Sequence, residues 1–235
     1  AYEAFKTAWE EAATAEAKAA LATDYLARFP DTDRSGSMAW RIAYYRGEEL
    51  GDPAGAWAAI ETALPQIADP EQRFEASMAA LSLADSIEVP LDIAEAAGAL
   101  AAVRPLSFDE HGEVADAAVE LERWAVAEQH ASAALDLATP EQVKADYPDR
   151  EFSEAQHLAR SQHRRASSLA ASGWALFNLG DREGAFQRFE EAAAAGSVGY
   201  LGVPNTPLYR YWGRAALSEG DFEKAIELLG AEAIF

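Results

Sequence analysis

Apolar residues recur along most of the chain at spacings of three and four, which place them on one face of an α-helix. Alanine is the dominant apolar residue and favours helix, whereas Val and Ile are sparse and seldom alternate with polar residues as strands require. The pattern therefore predicts an all-α protein. It includes a long helix over 1–29, ended by the turn cluster "FPDTDRSGS", and one unusually long helix over 151–179.

Three Gly-Asp steps divide this helical pattern in the same way. They are Gly51-Asp52, Gly180-Asp181 and Gly220-Asp221. Each is followed at a constant distance by an alanine and, four residues later, by a bulky apolar residue: Ala56 and Ile60, Ala185 and Phe189, Ala225 and Leu229. Glycine accepts the left-handed conformation that ends a helix, and aspartate caps the next one by accepting backbone N–H bonds. Each step thus predicts a helix, a tight turn and an antiparallel helix.

Two more glycines, Gly173 and Gly213, lie seven residues before their turn glycine, where a small residue permits close helix crossing. With these offsets the segments resemble tetratricopeptide repeats, helix-turn-helix units of about 34 residues. The stretch "ALFNLGDREGAFQRFEEA" carries the resemblance most specifically. A further unit is expected at 108–138, where Glu122 replaces the turn glycine, and a weaker one at 72–103. The resemblance implies a right-handed α-solenoid of antiparallel helix pairs, about five units plus the long N-terminal helix.

The expected organisation is two blocks of repeats. The N-terminal block, 1–138, holds the helix 1–29 and repeats at 36–65, 72–103 and 108–138. A hinge is expected at 139–150, because "TPEQVKADYPDR" breaks the helical pattern. The C-terminal block, 151–235, holds repeats at 167–196 and 207–230. Their connection is lengthened by "GSVGYLGVPNTP", whose Tyr200 and Leu201 are expected to dock onto the repeat surface.

Charge and composition restrict the classes of partner. The formal net charge of −21, from 40 acids and 19 bases, disfavours nucleic acid and anionic lipid, since both are polyanions. No apolar run approaches the length that spans a membrane, and no signal peptide is visible. Without cysteine there are no disulfides or thiol sites, and the compartment stays open between bacterial cytoplasm and periplasm. The start at Ala1 and the end in "GAEAIF" lead us to expect a piece of a longer protein.

The resemblance implies that the first helix of each repeat lines a groove for peptides. The groove-facing candidates, unit by unit, are Arg41 and Tyr45; Trp174, Phe177 and Asn178; and Arg210, Tyr211 and Arg214. Aromatic side chains beside arginine often dominate binding energy. Aromatics at helical spacing are more often core residues, however. Likewise Arg210 and Arg214, one turn apart, either grip a ligand carboxylate or form ordinary ion pairs.

Residues for catalysis or metal binding do not form a recognised motif. The four histidines lack metal-ligand spacing, and a solvated helix surface is expected for them. The basic cluster Arg160, His163, Arg164 and Arg165 is expected to neutralise acids on the neighbouring repeat. No cofactor is expected, and the chain is not expected to be an enzyme.

The sequence favours a scaffold that binds a protein or peptide in the groove of a superhelix. A structural or assembly module is the main alternative. It would pack against another domain of a longer polypeptide, for example a thioredoxin-like one, or self-associate into a homo-oligomer. An enzyme with a site between repeats is a third and weaker alternative.

Overall fold

The alanine-rich segments are helical, and no strand occurs among the residues that the structure describes. The structure is a computed structural model that describes residues 2–84, 86–196 and 205–234. The prediction of an all-α protein is therefore confirmed. Tyr200 and Leu201, expected to dock onto the repeats, lie outside the described residues.

The chain divides into two compact units, Ala1–Leu106 and Ser107–Phe235. The division precedes the predicted repeat 108–138, so these residues belong to the same unit as residues 139–235 and not with residues 1–103. The boundary was expected at 139–150, where the sequence interrupts the helical pattern most visibly.

The first unit consists of short helices. They are α1 (Tyr2–Glu11), α2 (Ala15–Arg28), α3 (Ser35–Ile42), α4 (Pro53–Ala63), α5 (Pro70–Leu81) and α6 (Ile93–Ala101). α3 continues as a π-helical segment, Ala43–Glu49, up to the turn at Gly51. α3 packs against α2 and α5, and α4 packs against the π-helical segment. Met38, Ile42, Ile60 and Phe74 are fully buried in this core.

The prediction of one long helix over 1–29 is wrong, because residues 12–14 separate α1 from α2. Thr14 has an extended backbone, and its Oγ1 accepts a hydrogen bond of 3.2 Å from the Ala17 N–H. This is an ordinary N-cap, and it starts a new helix within an alanine-rich run.

The second unit is built around its longest helix. Its helices are α7 (Phe108–Glu120), α8 (Trp124–Leu137), α9 (Pro140–Asp146), α10 (Glu154–Leu179), α11 (Arg182–Gly196), α12 (Thr206–Ser218) and α13 (Phe222–Ile234). α10 confirms the predicted long helix. It packs against α8, α11 and α12, and against α7 over a smaller area. Consecutive helices α7 and α8, α10 and α11, and α12 and α13 also pack against each other as pairs.

The expected hinge at 139–150 contains a packed helix, α9. Thr139 caps it by accepting from the Gln142 N–H at 3.1 Å, and Val143 is fully buried. Asp146, its last residue, pairs with Arg164 of α10 at 2.5 Å. The segment is therefore held against α10 and is not an irregular connection.

The turns between paired helices confirm the Gly-Asp prediction. Gly51, Gly180 and Gly220 have φ of 64°, 93° and 80°, and the aspartate after each accepts a backbone N–H three residues on. Glu122 takes the glycine position between α7 and α8 and is the one described non-glycine residue with positive φ, 55°. A left-handed conformation costs an L-residue with a side chain roughly 1–2 kcal/mol.

Gly173 shows why a crossing glycine is needed in the second unit. A Cβ there would lie 2.8 Å from Cε1 of Phe189 and 3.1 Å from the Ala185 carbonyl oxygen. The absence of a side chain thus lets α11 lie close against α10, and Phe189 is fully buried in the seam.

Candidate functional site

Equivalent positions on α7, α10 and α12 carry different chemistry. Asp116, Trp174 and Arg214 each lie six residues before the residue with positive φ that ends their helix. Glu113, Ala171 and Tyr211 each lie nine residues before it. We call these six residues the α7–α10–α12 face. From α7 to α12 the first set changes from acidic through aromatic to basic.

Trp174 lies at the centre of an aromatic stack. Its ring is nearly parallel to those of Phe177 and Tyr211, with centroids 5.6 and 5.7 Å away, and the Trp124 ring meets it edge-on at 6.3 Å. Phe177 and Tyr211 are buried, whereas Trp174 is half-buried. The structure thus brings these three predicted groove residues together, and Trp174 is the most exposed of the three. Phe177 and Tyr211 both lie in the hydrophobic core of this unit, and Trp174 packs against that core.

The two predicted arginines have separate surroundings. Arg210 donates from Nε to Oε1 of Glu232 at 2.7 Å, a bond that raises the pKa of Arg210. Arg214 is exposed and forms no ion pair with the described residues. Of the two roles expected for these arginines, Arg210 therefore has that of an ordinary ion pair. Arg214 is the arginine whose guanidinium forms no ion pair with the described residues. Asn178, the remaining candidate here, is exposed and donates to the Trp174 carbonyl oxygen at 2.8 Å.

A cleft of about 340 Å³ lies between α7 and α10, with α8 behind it. Its volume is at the lower end of the usual range for ligand pockets, roughly 300–1,000 Å³. The α7 wall carries three carboxylates, and small residues of α8 and α10 form the rest. The lining includes Asp109, Glu113, Asp116, Ala131, Ala134, Ser168 and Ala171.

The cleft is electrostatically connected to the aromatic stack. Asp116 is accessible to water, yet the protein surrounding it desolvates its carboxylate and raises its pKa. Burial raises the pKa of the Tyr211 hydroxyl to about 12, and the negative charge of Asp116 acts in the same direction. Asp116 of α7 and Tyr211 of α12 are thus close enough to influence each other.

Sequence reasoning missed the carboxylates on α7. Their signal is the register itself: counted back from Glu122, Asp116 occupies the position of Trp174 before Gly180. Because α7 lacks aromatic residues at these positions, a search for aromatic anchors passes over it.

In the first unit, Arg41 and Tyr45 lie together around Trp9 of α1. The Arg41 guanidinium is 4.1 Å from the centroid of the Trp9 ring, and the Tyr45 ring meets Trp9 edge-on at 5.3 Å. Sequence reasoning missed Trp9, because α1 was taken as part of a longer helix. These contacts join α1 to the π-helical extension of α3, so both candidates contribute to packing within the unit.

The expectation of solvated histidines is wrong for His130 and His157, which are buried. Nδ1 of His111 on α7 lies 3.0 Å from Nδ1 of His130 on α8. Burial lowers the pKa of both rings, and the neighbouring His111 lowers that of His130 further, to about 4. The basic cluster behaves as expected at Arg164, which pairs with acids of α9 and α7.

We predict that acid destabilises this unit through His130. The unfolded state gains a proton on this ring below pH about 6.5, while the folded state resists it down to about 4. The free energy of unfolding should therefore be complete above pH 6.5 and fall by about 2–3 kcal/mol as the pH drops to 4. Urea denaturation of wild type and His130→Gln at pH 7, 5.5 and 4.5 measures this. The stability of the variant should decline less, by that amount, and equal declines would contradict the assignment.

Within the described residues, no group of three or more His, Cys, Asp or Glu side chains is arranged to hold a metal ion. None of the described helices is both long enough and apolar enough to cross a membrane. Comparison with known proteins assigns no family: no protein-family model and no curated protein matches the chain.

Proposed function

We propose that the chain is a right-handed α-solenoid of tetratricopeptide-like helix pairs that binds a peptide segment of a partner protein, without catalysis. The observation that carries the proposal is the half-buried Trp174 ring on the α7–α10–α12 face, held nearly parallel to the rings of Phe177 and Tyr211. A solenoid of this kind presents its first helices side by side, and function lies on that surface.

Two features of the second unit support the solenoid. The pairs α7–α8, α10–α11 and α12–α13 each end their first helix with one left-handed residue. The first helix α10 also packs against the first helices on both sides, α7 and α12. A bundle around a single centre would not require this register of equivalent positions.

The composition of the face supports peptide binding. Trp174 is a large ring whose orientation is already set by its neighbours, so little conformational entropy is lost when a ligand packs on it. An exposed arginine, Arg214, occupies on α12 the position that Trp174 occupies on α10. Tryptophan and arginine are among the residue types most enriched in binding hot spots. Three of the six residues of this face, Glu113, Asp116 and Ala171, also line the acidic cleft.

The test is selection from a phage-displayed library of linear 12-residue peptides. Wild type should enrich a consensus, and Trp174→Ala should weaken binding of the enriched peptides at least 30-fold, about 2 kcal/mol, because the anchor is removed. Affinity is measured by fluorescence polarisation of labelled peptides. Circular dichroism and thermal denaturation should show a folded variant.

Two further variants make the result decisive. Trp57→Ala removes another half-buried tryptophan, on α4, and should leave affinity unchanged within twofold. Arg214→Glu alters an exposed residue of the face without disturbing packing and should change the selected consensus. Failure of wild type to enrich any peptide would overturn the proposal. So would binding by Trp174→Ala and Arg214→Glu that is the same as binding by wild type. A loss of unfolding free energy above about 3 kcal/mol in Trp174→Ala would mark this ring as core.

One observation favours the assembly alternative for a different surface. Phe222 and Ile226, four residues apart on α13, are 64% and 74% exposed. Residues at this spacing share one side of a helix, so they form an apolar stripe. We propose as a second function that this stripe packs against another domain or a second copy of the chain.

A further inference from the structure

The cleft beside Trp174 has one wall of uniform charge. Asp109, Glu113 and Asp116 follow one another at spacings of four and three on α7, and all three line it. Arg164 lies 3.6 Å from Asp109 and partly compensates its charge. Asp116, at the end nearest the aromatic stack, has no cationic partner among the described residues.

Beside this wall lie the hydroxyl groups of two largely buried residues, Ser168 and Tyr211. Ser168 of α10 lines the cleft with 6% of its surface exposed, and Tyr211 has 9% exposed. Neither hydroxyl forms a hydrogen bond with another described residue. Both oxygens reach solvent, so they are available to accept hydrogen bonds from a ligand with several N–H donors.

We infer that this cleft receives the side chain of a lysine or arginine from the bound peptide, an inference that rests on the proposed function. The ammonium or guanidinium group pairs with the Asp116 carboxylate and donates to the hydroxyl oxygens of Ser168 and Tyr211. The aliphatic stem of the same side chain lies along Ala134 and Ala171, whose small side chains leave room for it.

Electrostatics favour a cation over the other side-chain classes. An acidic side chain would meet three carboxylates in a protein with a formal net charge of −21. A neutral apolar side chain would leave Asp116 and both hydroxyls without partners. A cation instead offsets the desolvation that raises the pKa of Asp116.

The experiment uses positional-scanning pools of acetylated 12-residue peptides, each pool with one position set to Lys, Arg, norleucine or Glu. Norleucine has an apolar chain like the lysine stem and no charge, so the comparison isolates the cation. Wild type should retain Lys and Arg pools at one position at least tenfold more strongly than the norleucine pool. Asp116→Asn should lose this preference while its thermal midpoint stays the same or rises, because a desolvated charge is removed.

Two variants keep the test independent of folding. Asp136→Asn makes the same change at an exposed residue of α8 that does not line the cleft, and should keep the preference. Asp116→Lys should reverse it, so that the Glu pool is retained most strongly. Pools that bind without a Lys or Arg preference, or a preference that survives in Asp116→Asn, would overturn this inference alone. If no pool binds wild type at all, the proposed function fails together with it.

Discussion

Phe189→Ala is expected to lower the free energy of unfolding of the second unit by about 3–5 kcal/mol. Phe189 is fully buried, and its ring stacks on Trp212 at 6.0 Å and meets Phe186 edge-on at 6.1 Å. Opposite it lies Gly173, which has no side chain that could move into the vacated space. The cavity would therefore remain largely open, and the cost of an open cavity adds to the lost burial.

Urea denaturation followed by far-UV circular dichroism measures this loss. Phe222→Ala is the matched control, because Phe222 is 64% exposed on the neighbouring pair and should change stability by no more than about 0.5 kcal/mol. A loss below about 1 kcal/mol for Phe189→Ala would show that the seam between α10 and α11 is not the core of this unit.

Asp146→Ala is expected to cost about 3 kcal/mol, for an electrostatic reason. It removes the carboxylate 2.5 Å from Nη1 of Arg164, a residue only 8% exposed that stacks over the Phe108 ring at 4.3 Å. The guanidinium would keep only the longer contact of 3.6 Å to the exposed Asp109. A buried charge that loses its close partner destabilises the folded state strongly.

The double variant Arg164→Met with Asp146→Leu separates this effect from packing. Replacing a buried ion pair by apolar residues of similar size is often neutral, so most of the stability should return. Thermal and urea denaturation of wild type, the single variant and the double variant complete the comparison. If the double variant is as unstable as Asp146→Ala, the loss comes from packing of α9 and not from the uncompensated charge.

The turns and the long helix could be predicted because their causes are local. Gly180 needs the left-handed conformation and Asp181 accepts the next helix's N–H groups, so a few residues determine the geometry. Glu122 was placed correctly at a turn by register, even though its type is unfavourable there. Periodicity over 151–179 likewise sufficed to predict α10.

The features that could not be predicted from the sequence depend on which side chains from other parts of the chain contact a residue. Whether Phe177 faces a ligand or the core is decided by Phe186 and Arg182, which contact its ring, and neither is implied by its own helix. The burial of His130 depends on its meeting His111 of another helix. The break before α2 depended on a single threonine, Thr14, in a run of good helix formers. Spacing alone carries none of this information.

The left-handed Glu122 has a consequence for the acidic wall of the cleft. The α10–α11 and α12–α13 turns use glycine, which adopts the left-handed conformation without strain. In the α7–α8 turn the same conformation is adopted by Glu122, whose side chain makes it unfavourable. The packing of α7 against α8, and of both helices against α10, therefore has to offset the cost of this turn. Since α7 bears Asp109, Glu113 and Asp116, the acidic wall of the cleft belongs to the one hairpin of these three whose turn is closed by a strained residue.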